Sequence, residues 1–135
     1  MRRCHGSILT RHGNAVATGN GTLKLALAGD TMLGRSVAEA IRARGPGPVF
    51  APEVLAAAHE ADLFVLNLEC CISERGEPWA DPFKPFFFRA PLAAVEALEL
   101  LGVDCVTLAN NHALDFGEEA LLDTVELLRT AGIAT

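Results

Sequence analysis

The feature that most constrains the fold of this chain is an alternation between short, continuous apolar runs and longer segments with helical spacing. The apolar runs have the length of buried strands, and helix-length segments separate them along the chain. This order is typical of successive βα units around a parallel sheet, so the sequence predicts an α/β fold with three parallel strands. The predicted strands are 23–28, 63–66 and 103–108.

Gly and Pro mark the predicted helix boundaries. The helix at 36–44 should end at the Gly- and Pro-rich stretch 45–48, and the helix at 52–60 begins with Pro in its first turn. A third helix, 92–101, is followed by Gly. Residues 131–134 are typical of a turn into another strand, so we expect an N-terminal portion of a larger domain. The closing helix, 118–130, is predicted to place four apolar residues on one face: Leu121, Leu122, Val125 and Leu128.

Composition and charge exclude several classes of function. Half of the 135 residues are hydrophobic and 21% are charged, as in globular domains. The net charge of −6 argues against a nucleic-acid-binding protein, because neutralising phosphates needs a clustered excess of Lys and Arg. No apolar run approaches the roughly 18 residues needed to cross a bilayer, so no transmembrane segment is expected.

The N-terminal residues and the cysteines lead to further expectations. Residues 1–22 are polar and Gly-rich without periodicity, and we interpret them as a disordered leader before a domain at 23–135. They hold no signal-peptide core, so a cytoplasmic location is the default expectation. The cysteines lack CxxC spacing and are expected to be reduced thiols: Cys4, Cys70, Cys71 and Cys105.

Polar side chains follow each predicted strand. Because the carboxyl ends of parallel strands meet at one edge of a sheet, we expect these side chains to lie close together. Carboxylate and amide oxygens with an imidazole nearby suit a divalent ion such as Mg, Mn or Zn. The residues concerned are Asp30, then Asn67 and Glu69, then Asn110, Asn111 and His112, with Asp115 shortly after.

Each of these residues also has a purely structural interpretation. Asp30 can cap a helix, Asn67 and Asn110 can satisfy loop backbone, and Asp115 can cap the helix that starts near Gly117. An isolated histidine is more often structural than catalytic. An ordinary α/β domain with capped strand ends is therefore one alternative to a metal site.

Three motifs in this order carry a resemblance. They are Gly29 to Arg35 (GDTMLGR), Asn67-Leu68-Glu69, and Ala109 to His112 followed by Asp115 and Gly117. Together they resemble the CapA family of capsule-synthesis proteins, which is similar to the calcineurin-like metallophosphoesterases. The resemblance covers about residues 24–135 and implies the N-terminal portion of a metallophosphoesterase-like layered α/β sandwich.

The resemblance also implies roles for individual residues. Asp30, Glu69 and Asn111 would be ligands of a divalent metal (Mn, Zn or Mg), and His112 would be the acid beside it. A metal-activated water needs carboxylates to hold the ion, while an imidazole can protonate the leaving oxygen. Met32 stands where metallophosphoesterases usually have histidine, and the later histidine motifs of that superfamily are missing from this chain.

The implied function is a role in making or anchoring an anionic polymer such as poly-γ-glutamate, which allows association with the cell envelope. The substrate would be that polymer or a phosphorylated small molecule. Because Met32 removes one expected ligand, a non-catalytic member that binds polymer or partner proteins is the alternative.

Overall fold

The computed structural model describes residues 22–135, so the expected leader falls outside the described residues except for Thr22. Helices and strands alternate over this range much as the sequence predicts, and none of its helices is long and apolar enough to span a membrane. The elements are β1 (Leu25–Thr31), α1 (Arg35–Arg44), a 3₁₀ turn (Gly47–Val49), α2 (Pro52–His59), β2 (Leu63–Leu68), β3 (Cys71–Ile72), β4 (Arg89–Ala90), α3 (Ala94–Leu101), β5 (Cys105–Thr107) and α4 (Gly117–Thr130).

The central sheet has the order β1-β2-β5, and both strand pairs are parallel. This confirms the predicted α/β fold with three βα units and parallel strands. Beyond α4 the chain returns to the sheet, where Ala134 forms a parallel bridge with Cys105. The turn predicted at 131–134 therefore leads to a position beside β5, on the side away from β2.

Two aspartates fix the register of the sheet at its amino end. Asp62 precedes β2, and its carboxylate accepts a hydrogen bond from the Lys24 backbone N–H at 2.8 Å. Asp104 precedes β5 and accepts in the same way from the Phe64 N–H, also at 2.8 Å. Each carboxylate thus satisfies a backbone donor of the neighbouring strand and aligns the two strands before their ladder begins.

The main core lies on one face of the sheet. Along β2 the side chains alternate, and Phe64, Leu66 and Leu68 are buried while the residues between them are partly exposed. The buried set packs with residues from all four helices, including Ile41, Ala58, Leu98 and Leu128. On the other face, Leu25 and Leu27 of β1 remain 51% and 73% exposed.

The buried face of helix α4 is shifted from the predicted one. Its buried residues are Ala120, Thr124 and Leu128, whereas Leu122 is 65% exposed. The Thr124 hydroxyl accepts a hydrogen bond from the Ile72 N–H at 2.8 Å and donates to the Ala120 carbonyl at 2.7 Å. This bond to β3 orients the helix, so its polar threonine faces inward. Of the predicted face, Leu128 is buried and Leu121 and Val125 are partly buried, so the prediction was wrong for Leu122.

Both ends of the long segment 73–91 are bonded to the rest of the fold. The two residues of β4 pair in parallel with those of β3, which makes a small second sheet. At the start of the segment, Arg75 and Ser73 both bond the Asp123 carboxylate of α4, and these two bonds lower the pKa of Asp123 to about 2. The segment is therefore an ordered part of the fold.

The three described cysteines are free, as expected, and Cys4 lies outside the described residues. Cys70 and Cys71 are buried, and burial raises the pKa of the two thiols to about 12 and about 11. Both therefore stay protonated at neutral pH, which favours a packing role over metal binding.

Candidate functional site

The parallel register places three polar side chains in a row at the carboxyl edge of the sheet. A register shift after Ala28 sets Asp30 opposite Asn67, and Asn67 lies opposite Thr107. The Asn67 amide donates to Asp30 Oδ1 at 2.7 Å, and the Thr107 hydroxyl donates to Asn67 Oδ1 at 2.7 Å. Side chains from all three strands are thus hydrogen-bonded to one another at this edge.

Asn110 connects this row to the loop that carries His112. Its amide donates to the Leu68 carbonyl at 2.9 Å and to Asn67 Oδ1 at 3.1 Å. Its own Oδ1 accepts from the His112 backbone N–H at 2.9 Å. A continuous series of hydrogen bonds therefore runs from Asp30 through Asn67 and Asn110 to the backbone of His112.

Three side chains surround the His112 imidazole. Its Nδ1 lies 2.7 Å from Asp115 Oδ2, and its ring stacks on Phe88 with centroids 4.0 Å apart. Its Nε2 lies 3.8 Å from Glu69 Oε1, which is too long for a direct hydrogen bond. Because the carboxylate accepts, Nδ1 carries the ring proton in the neutral form, and Nε2 faces Glu69 as a free acceptor.

Asp115 is fully buried and joins two loops through its carboxylate. Oδ2 accepts from the Phe88 N–H at 2.6 Å as well as from His112. Oδ1 accepts no well-aligned hydrogen bond among the described residues, but the Lys84 ammonium lies 2.8 Å from it. The ion pair therefore balances the buried charge, and Lys84 also donates to the Asn111 carbonyl at 2.6 Å.

The predicted site residues fall into two groups. Asp30, Glu69 and His112 all lie at the carboxyl edge of the sheet, where the hydrogen bonds above connect Asp30 to His112. Within the described residues, the Asn111 side chain joins none of these bonds. Asn111 instead lines a shallow surface pocket with Trp79, Asp81, Lys84 and Leu114.

Sequence reasoning missed Thr107, Lys84 and Phe88, and it placed Asp115 near the site without a role beside His112. Asp115 does not cap α4, because the cap position is Phe116 and no side chain caps that helix; its carboxylate orients His112 instead. The three-residue spacing between His112 and Asp115 was the available signal for that pair. Lys84 and Phe88 come from the long segment 73–91, and nothing in their local sequence indicates that they contact His112.

The donor chemistry at this edge suits part of a divalent-metal site. Glu69 Oε1 and His112 Nε2 face each other at a separation that two ligands of one cation can have, since metal bonds to oxygen and nitrogen are about 2.0–2.2 Å. Among residues 22–135, no three His, Cys, Asp or Glu side chains are grouped closely enough to hold an ion by themselves. Met32 uses its sulfur as an acceptor for the Gly34 N–H at 3.0 Å. The residues present therefore fit an incomplete ligand set.

Comparisons with known proteins agree with the order of the motifs. The family model described as bacterial capsule synthesis protein PGA_cap matches residues 24–135. Two similar proteins, from the CDC 1551/Oshkosh and H37Rv strains of Mycobacterium tuberculosis, are each named a probable polyglutamine synthesis accessory protein. Each is 46% identical over 72 residues, which are 53% of this chain and 18% of the relative. The matched region is thus less than a fifth of those proteins.

Proposed function

This chain belongs to the PGA_cap family of bacterial capsule synthesis proteins, also described as the CapA family, and from that premise we propose that it carries part of a metal-dependent hydrolase site. The site would act on the anionic polymer of the capsule, of the poly-γ-glutamate type, or on a phosphorylated small molecule. In this proposal residues 23–135 are the N-terminal part of a metallophosphoesterase-like domain.

The observation that carries the proposal is the orientation of His112. Asp115 fixes Nδ1, Phe88 covers one ring face, and Nε2 is directed toward the Glu69 carboxylate at the edge of the sheet. A carboxylate behind an imidazole is the usual support for a histidine that binds a metal or moves a proton.

Each residue would have a separate task in this reaction. Asp30 and Glu69 would hold a divalent ion (Mn, Zn or Mg), which supplies a Lewis acid and an activated water when bound. Asn111 would join them as a ligand only after its side chain turns from the pocket beside Trp79 toward this edge. His112, once protonated at Nε2, would donate that proton to the leaving group, which is an oxygen in a phosphoester and the amide nitrogen in a γ-glutamate bond. Asp115 would stabilise the imidazolium, and Lys84 keeps the Asp115 charge balanced. Phe88 would exclude water from one face of the ring.

Metal binding and hydrolysis by variants of the full 135-residue chain test these roles. We expect Mn²⁺ to bind in calorimetry and Glu69→Gln to abolish that binding, because a neutral amide is a poor ligand for a hard cation. His112→Gln should keep most of the metal binding but lower the hydrolysis of γ-glutamate oligomers or a phosphodiester by about 10²- to 10⁴-fold.

Glu74→Gln is the matched control, because Glu74 is an exposed carboxylate in the neighbouring segment. It should leave metal binding and hydrolysis unchanged. Equal loss of both properties in the Glu74 and Glu69 variants would show that only overall charge matters, which would contradict the assigned ligands.

The second candidate is a non-catalytic member of the family that binds polymer or a partner protein at the same edge. It is favoured by Met32, whose sulfur accepts a backbone hydrogen bond where the resemblance leads one to expect histidine. Binding of γ-glutamate oligomers without metal binding and without hydrolysis would support this candidate over the first.

A further inference from the structure

A column of stacked groups extends from His112 along the rim of the candidate site. Phe88 stacks on His112 at 4.0 Å, and Phe86 stacks on Phe88 with centroids 6.3 Å apart and ring planes 17° from parallel. The Arg35 guanidinium lies over the Phe86 ring, 5.3 Å from its centroid. The column therefore joins the β1–α1 turn to the His112 loop and ends in a positive charge.

Arg35, the first residue of α1, has an unusual backbone conformation. It is the non-glycine residue with positive φ among the described residues, at 51°. The preceding residue, Gly34, is pressed against β4, since a Cβ there would lie 3.1 Å from the Arg89 carbonyl oxygen. The chain thus leaves a crowded turn in the left-handed region, a conformation that residues other than glycine rarely adopt.

The Arg35 guanidinium differs from those of the other arginines of the described residues in combining a ring contact with unpaired donors. Within residues 22–135, Arg35 forms no ion pair and its guanidinium donates no hydrogen bond, although it is exposed and stacked. Arg89 is also stacked on a ring, Phe116, but it donates to two backbone carbonyls and so has a structural role. Arg75 and Arg129 are paired with the carboxylates of Asp123 and Glu126. Arg42 and Arg44 form no ion pair among the described residues, but neither guanidinium lies over a ring there, as that of Arg35 does.

We propose that Arg35 and Phe86 form a carboxylate-binding subsite for a side group of a polyanionic chain whose neighbouring units lie at His112. This inference rests on the proposed function, because it extends that site along a polymer. The stacked ring holds the guanidinium plane, and its free N–H groups match the two oxygens of a carboxylate.

The length of the column suits one polymer chain better than a single small anion. The protein carries a net charge of −6, so a polyanion is repelled unless a local cation holds it. The other nearby cation, Lys84, is already paired with Asp115. The distance from His112 along Phe88 and Phe86 to Arg35 corresponds to a few repeat units of an extended chain. One polymer chain can therefore reach both Arg35 and His112.

Affinity for a labelled γ-glutamate oligomer, measured by fluorescence anisotropy with EDTA present, tests the subsite apart from any metal. Arg35→Ala and Arg35→Gly should each weaken binding by about tenfold, the loss expected for a charge-assisted hydrogen bond. Arg35→Gly guards against misfolding, because glycine adopts the left-handed φ without strain. Phe86→Ala should weaken binding less, because the charge remains while its support is lost.

Arg42→Ala is the matched control, since Arg42 is an exposed arginine of the same helix, and its affinity should stay within about twofold of wild type. Equal losses in the Arg42 and Arg35 variants, or none in either, would overturn the proposal. An equal Arg35-dependent loss with polyphosphate would replace the carboxylate subsite by a phosphate-polymer site and would also overturn it.

The two proposals can fail separately. If the chain binds no metal and hydrolyses nothing, but Arg35→Gly still weakens oligomer binding, the proposed function fails and the subsite stands. If His112- and Glu69-dependent hydrolysis is found while Arg35→Gly leaves oligomer affinity unchanged, the subsite alone is wrong.

Discussion

Among single residues, Asp115 has the strongest influence on the candidate site, because its carboxylate is buried and contacts parts of the chain far apart in sequence. It accepts from the Phe88 backbone and from His112, and it pairs with Lys84. A buried carboxylate stays charged only where such partners replace its lost hydration. The same contacts therefore stabilise the fold and aim His112 at Glu69.

We expect Asp115→Asn to destabilise the chain by about 3 kcal/mol in urea denaturation, because it leaves the largely buried Lys84 ammonium without a counter-charge. Adding Lys84→Met should recover part of this loss, since the uncompensated charge is then removed. Asp81→Asn is the control for an exposed carboxylate and should change the free energy of unfolding by less than about 0.5 kcal/mol. A cost below about 1 kcal/mol for Asp115→Asn would show that the ion pair contributes little.

The elements of the fold were largely predictable, since apolar runs and the Gly and Pro residues between them report local structure. Strands β2 and β5 and all four helices lie within a few residues of their predicted positions. The shift of the α4 face and the two-stranded β3–β4 sheet were not predictable, because they depend on contacts between distant segments. The bond from Ile72 to Thr124 joins positions 52 residues apart, and no local pattern encodes it.

Part of the candidate site was likewise predictable from the sequence, and part was not. Parallel strands bring their ends to one edge, so the grouping of Asp30, Asn67 and Thr107 follows from the fold class. The contacts of His112 with Lys84 and Phe88 depend on how the segment 73–91 crosses that edge. Its path is set by tertiary packing, which one sequence does not reveal.

At the level of elements, Thr124 should be the residue that most firmly attaches α4 to β3. We expect Thr124→Val to destabilise the chain by about 1–3 kcal/mol, because it keeps the shape but leaves the Ile72 N–H buried without an acceptor. Thr130→Val, at an exposed position in the last turn of the same helix, should stay within about 0.5 kcal/mol of wild type. Equal stabilities of the two variants in urea denaturation would show that the hydroxyl bond does not orient the helix.

In the whole molecule, the strand order explains why the helices cover one face. The order β1, β2, β5 and then Ala134 follows the chain without reversal. Parallel crossovers are right-handed in nearly all proteins, so an unreversed order sends every helix to the same side of the sheet. The alternating burial of β2 agrees with this arrangement, and the opposite face keeps its apolar side chains exposed on β1.

This exposed face leads to a prediction about self-association. Leu25 and Leu27 lie on β1, which is an edge strand within the described residues, and exposed apolar edge strands promote association between chains. In sedimentation velocity at increasing protein concentration, we expect Leu25→Thr combined with Leu27→Thr to reduce oligomer formation. The unfolding free energy should change by less than about 1 kcal/mol, because threonine suits a strand and both leucines are at least half exposed.

Leu122→Gln is the matched control. It removes a similarly exposed leucine from α4, away from this face, and should leave association unchanged. Association that persists undiminished in the β1 variant, or that falls as much in the α4 variant, would show that the uncovered face of the sheet is not the surface through which the chains meet.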